Sequence, residues 1–264
     1  MVPGTLSDSF RTQGRVLLAL MLREARTRYG RTRGGYLWAL IEPILHICVF
    51  YLLYKFRIHM VPLGDNLFVF LMTGFGIYLG FVHVLNRTEG AYASNEALLS
   101  FPIVHVLDVF VARALLELAT TIGVNFILFG FFIGFFGEPF PASVFKMLAA
   151  ILGLFGIGFG LGVCIGIVAE FLPSVGNLMR FPFRILYFVS GLFYLPDTLP
   201  PSFRAVLEWN PVLHGITLFR EGYYAGYESH MLDINYLYGW AIVCVLMAFV
   251  AERSARRPIR NIAR

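Results

Sequence analysis

MLAAILGLFGIGFGLGVCIGIV, residues 147–168, decides what kind of protein this is. The stretch has no charged or amide side chain, and it is as long as the roughly 20 apolar residues a helix needs to cross a bilayer. Gly158, Gly162 and Gly166 recur every four residues, with Gly156 and Gly160 between them. Small residues at that spacing let helix backbones approach closely, so they read as a packing surface. Five more apolar runs lie on either side, at 36–54, 67–85, 115–136, 181–195 and 234–251. The run at 181–195 is short and carries Pro182 and Arg184. The pattern predicts an all-α integral membrane protein with six transmembrane helices, residues 1–264 forming one transmembrane domain. Composition agrees: 58% of residues are hydrophobic and 14% charged, against about 25% charged in soluble domains. The mean hydropathy is +0.72.

The net charge of +5 is not the mark of a nucleic-acid-binding protein, because the arginines cluster beside apolar runs. Seven precede residue 34 and five follow residue 252. Cytoplasmic loops of membrane proteins are enriched in Lys and Arg. Six spans put both termini on one side. Placing that side in the cytoplasm leaves only Lys55, Arg57, Lys146, Arg204 and Arg220 outside. Three segments do not read as spans. Residues 12–29, within a cytoplasmic segment 1–35, oppose Val16, Leu17, Leu20 and Met21 to Arg15, Arg23 and Arg26, an amphipathic interfacial helix. Residues 88–101 form a polar cytoplasmic segment of helical composition. Residues 196–233, cut by Pro200, Pro201 and Pro211, read as two short re-entrant helices on the periplasmic side, at 202–209 and 212–224. A cytoplasmic tail, 252–264, ends the chain.

Catalysis finds little support. There is no G-x-x-x-x-G-K-[ST] phosphate loop, no H-E-x-x-H and no G-x-S-x-G. The histidines are scattered, and Cys48, Cys164 and Cys244 sit in apolar runs, so no metal site or disulfide framework is expected. Polar residues inside spans are costly and face the bundle interior or a wet path. Here they form stripes. Trp38, Glu42 and His46 share one face of the first span. Arg113, Glu117, Thr121 and Asn125 do so in the third, with Arg113–Glu117 a candidate structural pair. In the fifth, Asn177, Arg180, Arg184, Tyr187, Gly191 and Tyr194 follow a three-and-four spacing. Basic residues there grade into tyrosines, which suits an anionic, hydroxyl-rich solute. The candidate conduit lining is therefore Trp38, Glu42, His46, Arg184, Tyr187, Ser190 and Tyr194, with Arg184 facing Glu42, water or cargo.

Residues 22–31, LREARTRYGR, and 35–43, GYLWALIEP, resemble the permease subunit of type-2 ABC exporters for capsular polysaccharide, of the group 2 capsule type. ARALLE at 112–117, WNPVLH at 209–214, Arg220-Glu221 and Gly226-Tyr227 follow in the same order. The resemblance covers nearly the whole chain. Exporters of O-antigen and teichoic acid share its outline, but Tyr29-Gly30 and Glu42-Pro43 look more like the capsule branch. Gly34 departs from the pattern, where a larger apolar residue is usual. The resemblance implies a homodimer, two ATP-binding subunits that hold the ATP and Mg, a periplasmic adaptor or co-polymerase, an outer-membrane export protein, and an anionic lipid-linked polysaccharide as cargo. This chain itself needs no cofactor. Glu89, Tyr92, Asn95, Glu96 and Leu99 recur at helical spacing and are the candidate coupling surface for the ATP-binding subunit. Arg23, Arg26, Arg28, Tyr29, Arg31 and Arg33 are the candidate cargo entrance, since arginine forks suit phosphate and carboxylates. Two other classes compete. A membrane enzyme acting on lipid-linked sugar would need clustered carboxylates or histidines, where stripes are found. A secondary transporter usually shows repeated halves, and none is visible.

Overall fold

The computed structural model describes residues 6–29, 35–57, 60–95 and 104–262. Among them every long element is helical. The order is α1 (Leu6–Tyr29), α2 (Gly35–Arg57), α3 (Leu67–Glu89), a 3-10 turn (Ala93–Asn95) and α4 (Val106–Phe136). Then come α5 (Val144–Phe171), α6 (Pro173–Met179), α7 (Phe181–Val189), a second 3-10 turn (Pro196–Thr198), α8 (Pro201–Leu207), α9 (Pro211–Tyr223) and α10 (Ile234–Ile262). Among the described residues five helices, α2, α3, α4, α5 and α10, are long and apolar enough to cross a membrane. One end of the bundle gathers α1, the close of α3 and the start of α4; it is called the termini end below. The other, the far end, gathers the α2–α3 and α4–α5 connections and α8–α9.

The run at 181–195 is not one continuous helix. Helix α7 stops at Val189, and Gly191 takes a positive φ of 77° that ends helical geometry. Pro173 and Pro182 break the chain before it into a two-piece approach. Nine residues rise only about 14 Å, under half of a hydrocarbon core of roughly 30 Å. The third span is longer than 115–136. It starts at Val106, where the Asp108 side chain accepts from the His105 backbone N–H. Residues 88–101 are not one helix in their described part. Helix α3 runs on to Glu89 and then turns, while 96–103 lie outside the described residues.

Side-chain oxygens cap three helix starts. Asn66 accepts from Phe68 N–H, Ser143 from Lys146 N–H and Asn210 from Val212 N–H. The centre of the bundle is α3 and α5, with 78% and 67% of their apolar stretches buried, against 11% for α2. Glycines on two faces of α5 make this possible. A Cβ on Gly162 would lie 2.6 Å from the Leu85 carbonyl, and one on Gly166 would lie 2.6 Å from the Glu89 carbonyl. Both distances are too short for any real side chain, so α3 rests on bare backbone. On the other face Gly156 and Gly160 receive Ala241 and Cys244 of α10. The stripe is a packing surface, as its spacing implied. Helix α9 lies buried against α5, with Gly215 on Leu154 and Gly222 on Met147.

Candidate functional site

At the termini end, polar side chains from four elements form a collar. Arg113 of α4 pairs with Glu24 of α1 at 2.9 Å and donates to the Gly90 carbonyl at 3.0 Å. Arg23 of α1 donates to Asn95 at 2.9 Å, and Asn95 donates to the Ala91 carbonyl at 2.9 Å. Gln13 donates to Asp108. Arg180, between α6 and α7, reaches one oxygen of buried Glu89 with two nitrogens, at 2.6 and 2.7 Å. Arg113 and Glu117, read from the sequence as candidate groups that lock the bundle, each meet another helix rather than each other. Arg87 sits 3.8 Å from Glu117, while Arg113 turns to α1. Tyr92 is buried at 6% exposure. Arg26 is exposed. Arg28 and Tyr29 belong to α1, and their side chains lie outside the described residues, as do Arg31, Arg33, Glu96 and Leu99.

The candidate conduit residues divide. Trp38 is 61% exposed. Glu42 meets His83 of α3 at 3.1 Å, and the His46 ring bonds the Glu42 carbonyl at 3.1 Å. Arg184 is exposed and does not pair with Glu42. Tyr187 sits in an aromatic group with Phe50, Phe75, Tyr78 and Phe193, centroids 5.5 to 6.0 Å away. This group joins α7 to α2 and α3, and His46 of the first stripe reaches it through the Phe75 ring, centroids 6.2 Å apart. Tyr194 is half-buried and donates to the Phe188 carbonyl at 3.4 Å. Ser190, expected on the same open face, is fully buried and accepts from Asn210 at 2.9 Å. Asn210 also donates to the Val189 carbonyl while it caps α9. Asn210 of WNPVLH is thus a clamp on the end of α7, while His214 bonds the Glu208 carbonyl and the Asp233 N–H.

Sequence reasoning missed Arg220. The sequence places it in the second re-entrant helix and counts it as an outer-side cation, but its side chain is wholly enclosed. Its guanidinium donates to the carbonyls of Gly191 (2.6 Å), Leu192 (2.9 Å) and Tyr194 (3.1 Å), and to the Thr73 hydroxyl (3.3 Å). The Phe70 ring lies 4.2 Å below it. A planar fork with five donors can close a non-helical bend in this way, where an ammonium would satisfy fewer of the carbonyls. Near it, burial and then a hydrogen bond to Asp197 push the Tyr227 hydroxyl well above the usual tyrosine range, so it stays a donor.

The family model for the ABC-2 type transporter matches residues 15–224, from within α1 past the end of α9. The chain belongs to the ABC-2 type transporter family. Among ABC-2 relatives, the Polysialic acid transport protein KpsM of Escherichia coli is 30% identical over 248 residues, covering 94% of this chain and 96% of that one. The Capsule polysaccharide export inner-membrane protein CtrC of Neisseria meningitidis serogroup A is 35% identical over 222 residues, 82% of each chain. The O-antigen export system permease protein RfbA of Klebsiella pneumoniae is 18% identical over 240 residues, 88% of this chain and 90% of that one. An ABC-2 transporter component is part of a transport machine rather than an enzyme. The described residues hold no group of three or more His, Cys, Asp or Glu placed to bind a metal ion.

Proposed function

We propose that this chain is the transmembrane subunit of an exporter that carries lipid-linked capsular polysaccharide across a bacterial inner membrane, driven by a separate ATP-binding subunit. The observation that carries this reading is the collar. Through Glu24–Arg113, Arg23–Asn95 and Arg180–Glu89 it joins α1, the start of α4 and the close of α3 to the junction between α6 and α7. A push on the turn after α3 is thereby passed to the aromatic face where α7 meets α2. The ATP-binding subunit docks on that turn, which buried Glu89, Tyr92 and Asn95 hold in place from behind, with Glu96 and Leu99 next in sequence. The capsule-export names of the more similar relatives support the cargo class over O-antigen.

In this reading both termini are cytoplasmic and α1 lies at the interface. The α6–α7 pair and 190–195 together make a broken sixth crossing, fifth in chain order. Helices α8 and α9 re-enter from the periplasmic side. Two copies face each other across an axis and bind two ATP-binding subunits, which supply ATP and Mg. A periplasmic adaptor and an outer-membrane export protein continue the route. Arg23, Arg26, Arg28, Tyr29, Arg31 and Arg33 receive the anionic linker of the cargo. Trp38, Glu42, His46, Arg184, Tyr187 and Tyr194 line the path, and their rings and hydroxyls offer many weak contacts to a sliding chain. Ser190 supports that wall from behind. Cells lacking this protein should accumulate polysaccharide inside, and Arg28→Gln with Arg31→Gln should fail to restore export while inserting normally. Full export from that double variant refutes the entrance; surface capsule in the deletion strain refutes the function.

A further inference from the structure

At the far end a cleft of about 440 Å³ opens between the end of α2 and the α4–α5 connection, within the size range of small-ligand sites. Tyr51, Lys55, Met60, Asp65, Asn66 and Glu138 line it. Its charged groups are placed by helix ends. Gly137, with a φ of 70°, stops α4 in a left-handed cap and delivers Glu138. Asn66 caps α3 with its oxygen and uses its amide N–H to hold the Glu138 carboxylate at 2.7 Å. That bond leaves the second carboxylate oxygen available. Lys55 and Asp65 are exposed and carry no ion pair among the described residues. The cleft therefore offers an ammonium and two carboxylates that do not neutralise one another.

The rim is apolar. Met60 is 80% exposed, and Phe56, Phe136 and Phe140, beside the lining residues in sequence, are exposed as well. Polar charges of both signs beside exposed phenylalanines describe a headgroup site at the membrane surface. Among the described lining residues only Tyr51 offers a ring, so the cleft is not built as a stacking path for sugars. We infer that it binds the headgroup of an amine-bearing zwitterionic phospholipid, with Lys55 on the phosphate and Glu138 and Asp65 on the primary ammonium. The acyl chains then lie along the exposed phenylalanines. A primary ammonium donates N–H bonds to carboxylates, which a quaternary one cannot do, so the site prefers phosphatidylethanolamine to phosphatidylcholine. Phosphatidylglycerol carries no ammonium for the two carboxylates, which repel its net negative charge, so it gains only the Lys55 contact. This inference needs only that the chain sits in a bilayer, not the proposed cargo.

The test uses the full chain in mild detergent, mixed with equal amounts of dioleoyl phosphatidylethanolamine, phosphatidylcholine and phosphatidylglycerol, and read by native mass spectrometry. Phosphatidylethanolamine should be retained about tenfold over the other two, the ratio for one charge-assisted contact of about 1.4 kcal/mol. Lys55→Gln and Glu138→Gln should each abolish most of that preference. Glutamine at 138 can still accept from Asn66, and unchanged unfolding midpoints establish that the variants are folded. Equal retention of the three lipids by the wild type overturns the inference. So does a preference for phosphatidylglycerol, which marks a lone cation. Unaltered preference in both folded variants overturns it as well, as does displacement of phosphatidylethanolamine by an acidic oligosaccharide.

Discussion

Replacing Arg220 by methionine tests how the bend after α7 is held. Methionine is long, apolar and flexible enough to fill most of the space, so the change isolates the loss of donors. The carbonyls of Gly191 and Leu192 lie in buried residues and lose their arginine partners. Each enclosed acceptor left unpaired costs about 1–3 kcal/mol, or about 2–6 kcal/mol for the two. The Tyr194 carbonyl, in a half-buried residue, adds less. Against this stands relief from desolvating a buried cation that has no carboxylate partner among the described residues, a gain of about 1–4 kcal/mol where buried charges are exchanged for well-packed apolar groups. The net destabilisation is about 2 kcal/mol. At about 2–4 °C per kcal/mol, the unfolding midpoint of the purified protein should fall by about 4–8 °C. Amide exchange should rise at 190–195 and not in α5. Arg220→Lys should not recover the loss, because one ammonium cannot satisfy three carbonyls in a plane. An unchanged midpoint with unchanged exchange at 190–195 refutes the reasoning.

Gly162→Leu should cut the protein's level in membranes, since overpacking costs about 1–3 kcal/mol and its Cβ would meet the Leu85 carbonyl; Gly123→Leu, with nothing within 4 Å, should be silent by immunoblot. Glu89→Arg and Arg180→Glu should each block export, and the combined swap should restore it if the pair holds the collar; an inactive but stable swap shows that Glu89 acts beyond the pair. Asn95→Ala removes the acceptor for Arg23 and should weaken co-purification of an ATP-binding subunit several-fold while membrane insertion is unchanged. In cysteine labelling with a small polar reagent, Trp38→Cys and Arg184→Cys should react and Ser190→Cys should resist; rapid labelling at 190 contradicts its burial.

Long apolar runs made four of the crossings readable to within a few residues at the ends, because lipid demands an uninterrupted apolar helix. The start of α4 escaped because Asp108 and Arg113 look too polar for a span; the helix simply outlasts its apolar part. The run at 181–195 misled for the opposite reason. Its hydropathy suits a span, while Gly191 and the flanking prolines decide the backbone. Arg113 and Glu117 stand four apart, which favours a pair, yet Arg113 finds Glu24 of a distant helix at shorter range. Glu42 and His83 are likewise separated in the chain and meet only through packing of α2 on α3. Arg220 was least legible of all. Its partners are backbone carbonyls, which any sequence possesses, so no residue type announced them.

The two glycine faces of α5 also bear on how the molecule is made. The face that takes α3 meets a helix already synthesised, whereas the face that takes α10 waits for the last helix of the described chain. Until α10 arrives, Gly156 and Gly160 leave an open groove of bare backbone along α5. A nascent chain halted before residue 234 would carry that groove into the lipid. Any small-residue helix could fill it, from another molecule as readily as from its own. Completion of the final helix therefore acts as the step that closes the molecule to strangers.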